Sequence, residues 1–423
     1  MSSASTIAVE DLRVGIFVQL DGGWLSHPFP LSSFRISTPS QLATLRGLGQ
    51  ARLRWVPEKS DPPPAEAAAE ACENPRLVGP TAAERAAEQQ RQDLQDLQDE
   101  RDAVQRCERQ HAEAALVWRK ASDAVRTRPG DAGRATEALT RAVLQKMLVA
   151  EDIGIRLVSG GADRAAAHAL NVAIISLLIA RTLGMPEPEL LDLGVGALMH
   201  DVGKLEVAEG LRHAEEGFTA RETSSYREHV AKGVALGRRM ALSSNALLVL
   251  AQHHEMVDGS GFPLKLKGEQ LTLAARVVAL VNRYDNLCNP QARTSALTPH
   301  EAVSVLFAQG RQRFDTPVLN AFIRMMGVYP AGSLVQLTDD RFALVVGVNS
   351  SRPLKPRVLV HEPRVPRKEA LILDLGQAPD LGIRRSLPAA KLPAAAIEYL
   401  DPQPRVAYYF EPLATPVMDP LAA

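Results

Sequence analysis

Histidine and carboxylate side chains with metal-binding potential concentrate in the middle of this sequence of 423 residues. The histidines on predicted apolar helices are His168, His200, His229, His253 and His254, and Asp201 directly follows His200. One such histidine is usually a hydrogen-bonded core residue, but several buried imidazoles need a shared partner, which a metal centre supplies. Because the ligand set contains nitrogen and carboxylate but no thiolate, it favours iron, manganese or another first-row divalent ion over a structural zinc site.

The number of these side chains indicates two ions. Five imidazoles and one carboxylate are too many for a single octahedral ion that keeps a water, so Asp201 is expected to bridge two ions. Such a pair lowers the pKa of a shared water and holds the attacking and leaving oxygens of a phosphodiester. Lys204 follows Asp201 by one helical turn in an apolar stretch, where it can stabilise phosphate charge. Asp201 and Lys204 are therefore the predicted catalytic residues of a phosphohydrolase.

A glycine-rich segment follows the adjacent pair His253 and His254. It ends in Gly261, Phe262 and Pro263. Alone it indicates only a helix end with a turn. Beside two ligands, its glycines allow close approach of the backbone and its aromatic ring offers a stacking face, so the segment predicts a loop that holds a nucleotide base.

The elements that carry these residues are predicted to be mainly α-helical. Apolar residues recur at helical spacing over the whole range 131–327, without the alternation of a strand, and short β-branched runs follow Pro330. The predicted boundaries are 1–58 for a small N-terminal regulatory-type domain of β or α/β character, 59–80 for a linker, 81–128 for a long polar helix, 131–327 for the helical metal-dependent domain, and 330–411 for a small C-terminal β appendage.

Two interpretations of the polar helix remain open. Thr81 and Glu84 have the spacing of a capping box at its start, and Arg128-Pro129-Gly130 is expected to end it. Its thin apolar stripe is typical either of a coiled coil that pairs with a second copy or of a solvated spacer. Pairing is favoured, because so polar a helix gains little by packing alone.

Composition excludes several classes of protein. The 48 Lys and Arg residues nearly balance 49 Asp and Glu residues, which argues against a protein that coats nucleic acid polymers or anionic membranes. Three cysteines without CxxC spacing form neither a disulfide framework nor a thiolate zinc module. The apolar run 170–180 is too short to cross a bilayer, and the N-terminus lacks signal-peptide features. We therefore expect a cytoplasmic protein without a membrane span.

Two motifs resemble a known family. HDVGK at His200–Lys204 and HHEMVDGSGFP at His253–Pro263 resemble the HD-GYP branch of the HD metal-dependent phosphohydrolases, and the similarity extends over roughly 160–325. The first 58 residues resemble a small domain of unknown function that often precedes HD-GYP domains in bacteria. The resemblance implies an all-α domain with two or three iron or manganese ions. It also implies hydrolysis of the bacterial second messenger cyclic di-GMP to pGpG or GMP.

The resemblance carries over to individual positions. The matching metal ligands are His168, His200, Asp201, His229, His253 and His254. Lys204 matches the family's catalytic lysine, and Gly261-Phe262-Pro263 replaces the Gly-Tyr-Pro loop, which retains a stacking ring but loses a hydroxyl.

Further departures from the family pattern change the charge of the site. Met256 stands where the family usually has arginine. Asn282 stands where the family has a ligating aspartate, and Gln291–Thr294 replaces a basic stretch, with Arg293 as the remaining cation available to substrate. Arg164 occupies the position of a glutamate in three-metal members, which implies two ions at most. The departures keep an alternative open, in which a weak or inactive relative acts as a cyclic di-GMP receptor or as a scaffold for a partner such as a diguanylate cyclase. A hydrolase of another nucleotide is a third interpretation, which the Gly-Phe-Pro loop disfavours.

Overall fold

The computed structural model describes residues 5–20, 29, 33–48, 50–61, 82–150, 152–161, 163–213, 217–291, 295–370 and 372–413. Most of the expected linker, the cap at Thr81 and the substrate contact at Arg293 lie outside these residues. The chain divides into two compact units, Met1–Asp99 and Glu100–Ala423.

The first unit contains a small antiparallel sheet with one short helix. Its elements are β1 (Ser5–Ala8), β2 (Phe17–Gln19), β3 (Ser33–Arg35), α1 (Pro39–Arg46) and β4 (Arg52–Trp55). The strand order is β1-β4-β2-β3. Val18 and Leu53 on the central strands are buried with Leu45 of α1, so the apolar positions of the sequence form the core of this unit.

Helices dominate the rest of the chain, as the sequence predicts for a mainly α fold. They are α2 (Ala82–Ala124), α3 (Pro129–Val149), α4 (Arg164–Thr182), α5 (Glu187–Met199), α6 (Ala220–Arg239), α7 (Ser244–Gln252), α8 (Leu273–Cys288), α9 (Pro299–Arg313), α10 (Thr316–Met326) and α11 (Ala394–Leu400). The long polar helix ends at Ala124, shortly before Arg128-Pro129-Gly130, as expected. Pro129 itself starts α3, because the first turn of a helix tolerates a missing N–H.

The expectation of helix throughout 131–327 was wrong at one place. Residues Ile153–Val158 form strand β5, whose positions are almost all buried, so the alternation that identifies a half-exposed strand is missing. A seven-stranded sheet joins β5 to the C-terminal strands β6 (Leu334–Leu337), β7 (Phe342–Asn349), β8 (Arg357–Val360), β9 (Ile372–Asp374), β10 (Ile383–Ser386) and β11 (Ala407–Pro412). The C-terminal β segment therefore shares a sheet with the strand that precedes α4.

A buried charge cluster fixes α2 against this sheet. The guanidinium of Arg156 on β5 is fully buried and lies 2.7 Å from Glu100 of α2 and 2.5 Å from Glu411 of β11. Arg357 on β8 also pairs with Glu100, at 3.2 Å. Because each buried charge has an opposite partner, the middle of α2 is tied directly to β5 and β8, and through Arg156 to β11.

One helix in the described part of the chain has the length and hydropathy of a membrane span. It is α4, which is longer than the apolar run seen in the sequence, and 72% of its apolar window is buried inside the fold. It contacts α5, α8 and β11, as expected for the central helix of a domain core.

Candidate metal centre

The ligand candidates converge from four helices, although not all of them lie on helices as we expected. His168 is on α4 and His229 on α6, whereas His200 and His253 occupy the C-caps of α5 and α7 and His254 follows in the turn. A C-cap position suits a ligand, because the ring projects beyond the end of the helix while its backbone remains anchored.

The ring nitrogens meet in two pairs. The Nε2 atoms of His168 and His200 are 3.1 Å apart, and those of His229 and His253 are 3.3 Å apart. Two nitrogen ligands about 2.1 Å from one ion at a right angle would be separated by about 3 Å. The spacing of each pair therefore suits neighbouring ligands of one divalent ion.

Asp201 lies between the two pairs. Its Oδ2 is 3.6 Å from Nε2 of His168 and 3.4 Å from Nε2 of His200. Its Oδ1 is 3.7 Å from Nε2 of His229 and 3.8 Å from Nε2 of His253, and has no hydrogen-bond partner among the described residues although it is buried. An unpaired buried carboxylate oxygen is costly without a cation, so the site fits divalent metals.

The opposite nitrogen of each ring is fixed by a second contact. The Nδ1 atoms of His200, His229 and His253 face the backbone carbonyls of Ala197, Tyr226 and Leu250 at 2.6–2.8 Å. These contacts hold the Nδ1–H tautomer and leave the Nε2 lone pairs for a metal. Residues three positions earlier in the chain thus orient the ligands.

The charges around Asp201 keep its carboxylate ionised, which favours the binding of cations. Burial raises the pKa of Asp201, but the nearby Lys204 and His200 lower it by more. The pKa of this carboxyl therefore lies well below its usual range. Burial and the neighbouring histidines hold the pKa of His253 and His254 well below the ordinary value. An ionised Asp201 beside neutral imidazoles at His253 and His254 is the protonation state that metal binding requires at these residues.

Lys204 forms a direct ion pair with Asp201. Its Nζ lies 2.6 Å from Oδ2 of Asp201 and 5.8 Å from the centre of the Tyr226 ring. The lysine side chain is 16% exposed, so it is not a solvated surface residue. It faces the same cavity as His168 and His200, where its charge can meet a phosphate group.

A close backbone contact locates the segment that bears Lys204. A Cβ added to Gly203 would lie 1.9 Å from the carbonyl oxygen of His229 and 2.4 Å from the backbone nitrogen of Gly233. Only glycine permits this approach. The glycine of the HDVGK motif therefore brings Lys204 and Asp201 against α6 and its ligand.

The Gly-Phe-Pro loop packs on a ligand. The ring of Phe262 stacks on His254 with centroids 4.5 Å apart, and the guanidinium of Arg227 lies 4.9 Å from the Phe262 centroid. A Cβ on Gly261 would come within 2.5 Å of the backbone of His254, so the glycine allows the loop to close. Gly261, Phe262 and Pro263 do not line the cavity beside Lys204.

A buried carboxylate orders the residues that follow this loop. Glu255 is 1% exposed, and its oxygens accept hydrogen bonds from the backbone N–H groups of Leu264, Lys265 and Leu266 at 2.6, 3.1 and 3.0 Å. We had not assigned a role to Glu255. Its position directly after two ligands was the available signal.

Asn282 lies close behind the cavity wall. It is buried on α8, and its Oδ1 accepts a hydrogen bond of 2.6 Å from Asn286, which lines the cavity. Gln291 also lines the cavity and accepts a hydrogen bond from Arg164. The guanidinium of Arg164 therefore lies beside Gln291, the first residue of the stretch 291–294 in which the family's basic residues are replaced.

Two further side chains make contacts with the ligands that the sequence analysis did not assign. The hydroxyl of Tyr226 is 3.4 Å from Nε2 of His254, and burial raises the pKa of the phenol. Asp285 binds Nδ1 of His168 at 2.6 Å and does not itself belong to the converging ligand groups. Their positions one turn from His229 and Asn282 were the signals in the sequence.

A cavity of about 470 Å³ opens beside the cluster. Its volume lies within the range of small-molecule sites. His168, His200, Asp201 and Lys204 line one side, and residues of α2 line another.

Two family models match successive parts of the chain. A domain of unknown function (DUF3391) matches residues 5–135, and the HD domain matches residues 154–318. The Asp201 ligand groups lie inside the second match, whereas the cavity residues of α2 lie inside the first.

Three characterised proteins illustrate the similarity. A cyclic di-GMP phosphodiesterase of Pseudomonas aeruginosa is 28% identical over 88% of this chain and 89% of its own length. The cyclic di-GMP phosphodiesterase response regulator RpfG of Xanthomonas campestris is 31% identical over 35% of this chain and 39% of its own length. A 3'3'-cGAMP-specific phosphodiesterase of Vibrio cholerae is 27% identical over 37% of this chain and 30% of its own length.

Proposed function

The chain belongs to the HD-GYP family of HD-domain proteins, with a DUF3391 domain at its N-terminus, and from this premise we propose that it is a cyclic di-GMP phosphodiesterase. The observation that carries the proposal is the convergence of four imidazole Nε2 atoms on Asp201, beside Lys204 and an open cavity. The relative from P. aeruginosa, which matches nearly the whole chain, supports this choice of substrate.

The ligand geometry supports two ions that share Asp201. His168 and His200 would bind one ion and His229, His253 and His254 the other, while each carboxylate oxygen faces one group. We propose iron or manganese, because these metals accept imidazole and carboxylate ligands in octahedral geometry. Bound there, the ions would supply Lewis acidity and activate water.

The chain's own residues would position the phosphodiester. Lys204 stands at the cavity with its ammonium beside Asp201, where it can pair with a phosphate oxygen and offset charge that develops during hydrolysis. Phe262 and Arg227 shield His254 from solvent on the side of the loop. The product is pGpG, GMP or both.

The decisive experiment is hydrolysis of cyclic di-GMP by protein purified without oxygen and loaded with iron or manganese. We expect turnover in the natural chain and its loss in Asp201→Ala, with Asp131→Ala on the exposed start of α3 as the control. Binding without turnover would instead identify a receptor that retains a hydrolase fold.

Asn282 separates these outcomes further. It is the buried neighbour of a cavity residue and stands where the family has aspartate. If the missing charge limits metal binding, Asn282→Asp raises metal content and rate together. If neither the metal content nor the rate rises in Asn282→Asp, the missing charge at this position does not limit metal binding or activity.

We also propose that the protein works in the cytoplasm, as an intracellular messenger requires, and that α2 pairs with a second copy of the chain. Leu116 on α2 is 48% exposed, which supports an apolar contact outside the fold. Sedimentation of the full chain and of Leu116→Glu tests pairing, because a dimer should weaken in the variant. Equal mass at the monomer value in both would exclude it.

A further inference from the structure

An aromatic residue of α2 lies in the wall of the cavity beside the ligand cluster. Trp118 lines the cavity together with His168 and Lys204. Its Nε1 donates a hydrogen bond of 2.8 Å to the carbonyl of Leu198, two residues before His200. This bond satisfies the one polar atom of the indole, and the part-buried side chain borders the cavity, where an aromatic ring can stack on a base.

Two ion pairs attach the end of α2, and the turn that follows it, to the helical domain on the C-terminal side of Trp118. Arg119 lies 2.7 Å from Asp163, the N-cap residue of α4, and Arg126 lies 2.9 Å from Glu206, close after Lys204. The helix is thereby attached to the two segments that carry the cavity's functional side chains. Trp118 is a fixed part of the wall.

The cationic side chains that line the cavity outnumber its carboxylates by one: they are Arg119, Arg164, Lys204 and Arg212, against Asp123, Asp163 and Asp201. Arg119 and Lys204 already have carboxylate partners. Arg164 and Arg212 also line the cavity, and within the described part of the chain no carboxylate lies within ion-pair distance of either guanidinium. Their hydrogen bonds go to neutral acceptors, Asn289 for Arg164 and Val207 for Arg212. An anionic ligand fits such a surface.

We propose that Trp118 stacks on a guanine base of the bound dinucleotide and that Arg164 contacts one of its phosphate groups. The inference deepens the proposed function and rests on it for the ligand. Among the described residues that line this cavity, Trp118 is the only Phe, Tyr or Trp. Phe262, in contrast, is covered by His254 and Arg227. The α2 helix, outside the HD-domain match, would thus complete the substrate site.

Tryptophan fluorescence tests the stacking directly, without turnover. The chain has three tryptophans, Trp24, Trp55 and Trp118, so changing the first two to Phe leaves only the residue in question. A hydrolysis-resistant phosphorothioate analogue of cyclic di-GMP should quench this emission saturably, whereas inorganic phosphate should not. Saturable quenching by phosphate alone, or none by the analogue, would overturn the stacking.

Kinetics provides the second readout. Trp118→Ala should raise the KM for cyclic di-GMP roughly 5- to 150-fold, the range of base–aromatic stacking, with a smaller change in kcat. Trp118→Phe keeps a ring and should retain most of the affinity. The matched control is Lys120→Ala, an exposed residue of the same helix that does not line the cavity.

Arg164 is tested in the same assay. Arg164→Gln should raise the KM about tenfold or more, as expected for a charged hydrogen bond to phosphate, while Arg134→Gln on exposed α3 should not. An unchanged KM in both Trp118→Ala and Arg164→Gln would refute the subsite even if turnover is normal. Quenching without turnover would refute hydrolysis and leave the subsite intact, so the two proposals fail separately.

Discussion

The Nδ1 atom of His168 lies 2.6 Å from Oδ2 of Asp285. Burial lowers the pKa of His168, but hydrogen bonds to Asp201 and Asp285 outweigh it and raise the pKa to about 9. The other oxygen of Asp285 accepts hydrogen bonds from Asn171 and Asn289, at 2.7 and 2.9 Å. Asp285 is therefore held rigidly, and it decides which nitrogen of His168 faces Asp201.

Replacing Asp285 by Asn should weaken metal binding about 10- to 100-fold, because the amide no longer orients the ring as a charged acceptor does. The measurement is competition for iron or manganese between the metal-free protein and a chelator. Asp192→Asn is the control, since that carboxylate binds Ser243 and Asn245 at the surface. Equal affinity in Asp285→Asn and the natural chain would contradict an orienting role.

Gly203→Ala should destabilise the protein by about 3 kcal/mol or more, because the new Cβ would collide with the backbone of α6 rather than with a movable side chain. Urea unfolding of the metal-free protein measures the loss. Gly210→Ala provides the matched control, since nothing lies within 4 Å of a Cβ at that position. Similar unfolding of both variants would show that the contact at Gly203 relaxes freely.

Glu255→Gln should cost about 1–3 kcal/mol, because the amide has one acceptor oxygen and leaves at least one backbone N–H of the loop unsatisfied. Trypsin should then cleave faster at Lys265 and Lys267, which lie in or directly after the ordered turn. The comparison is Glu269→Gln, an exposed residue nearby. If cleavage accelerates equally in both variants, Glu255 does not order the loop.

His111 on α2 should make the fold sensitive to acid. Burial lowers its pKa to about 4, below the unfolded value of about 6.5. The unfolded chain therefore binds more protons between these values, and stability falls as the pH drops from about 6.5 to 4. One fully buried imidazole accounts for about 3 kcal/mol at most.

Unfolding free energies at pH 7, 6 and 5 test this linkage. The slope against pH should be shallower in His111→Gln than in the natural chain. His300→Gln serves as the control, because its ring already bonds the carbonyl of Val328 at 2.7 Å. Parallel slopes in the natural chain and His111→Gln would exclude His111 as the acid-sensitive group.

The mainly α fold and its helices could be predicted because helical periodicity is a local property of the chain. The range 131–327 was expected to be helical, for example, and α8 (Leu273–Cys288) lies within it. Strand β5 escaped detection because it is short and buried on both faces. Its partner β11 is about 250 residues away, and no local pattern reveals such a pairing.

Residue types and spacing alone assembled the candidate list of the metal centre, since His200-Asp201 and His253-His254 are adjacent in the chain. Tertiary packing decided what each atom faces. It set Asp201 between two imidazole pairs, turned Phe262 onto His254 and brought Trp118 to Leu198.

The contacts made beside the C-terminal strand also depend on tertiary structure and not on the local sequence. The carbonyl of Val406 accepts hydrogen bonds from Asn171 and Asn289, the two residues that hold Asp285. Sequence marks each of these residues only as polar or apolar within its own element. Their mutual contact depends on how α4, α8 and β11 pack together, because hydrogen-bond direction is set by three-dimensional position and not by separation along the chain.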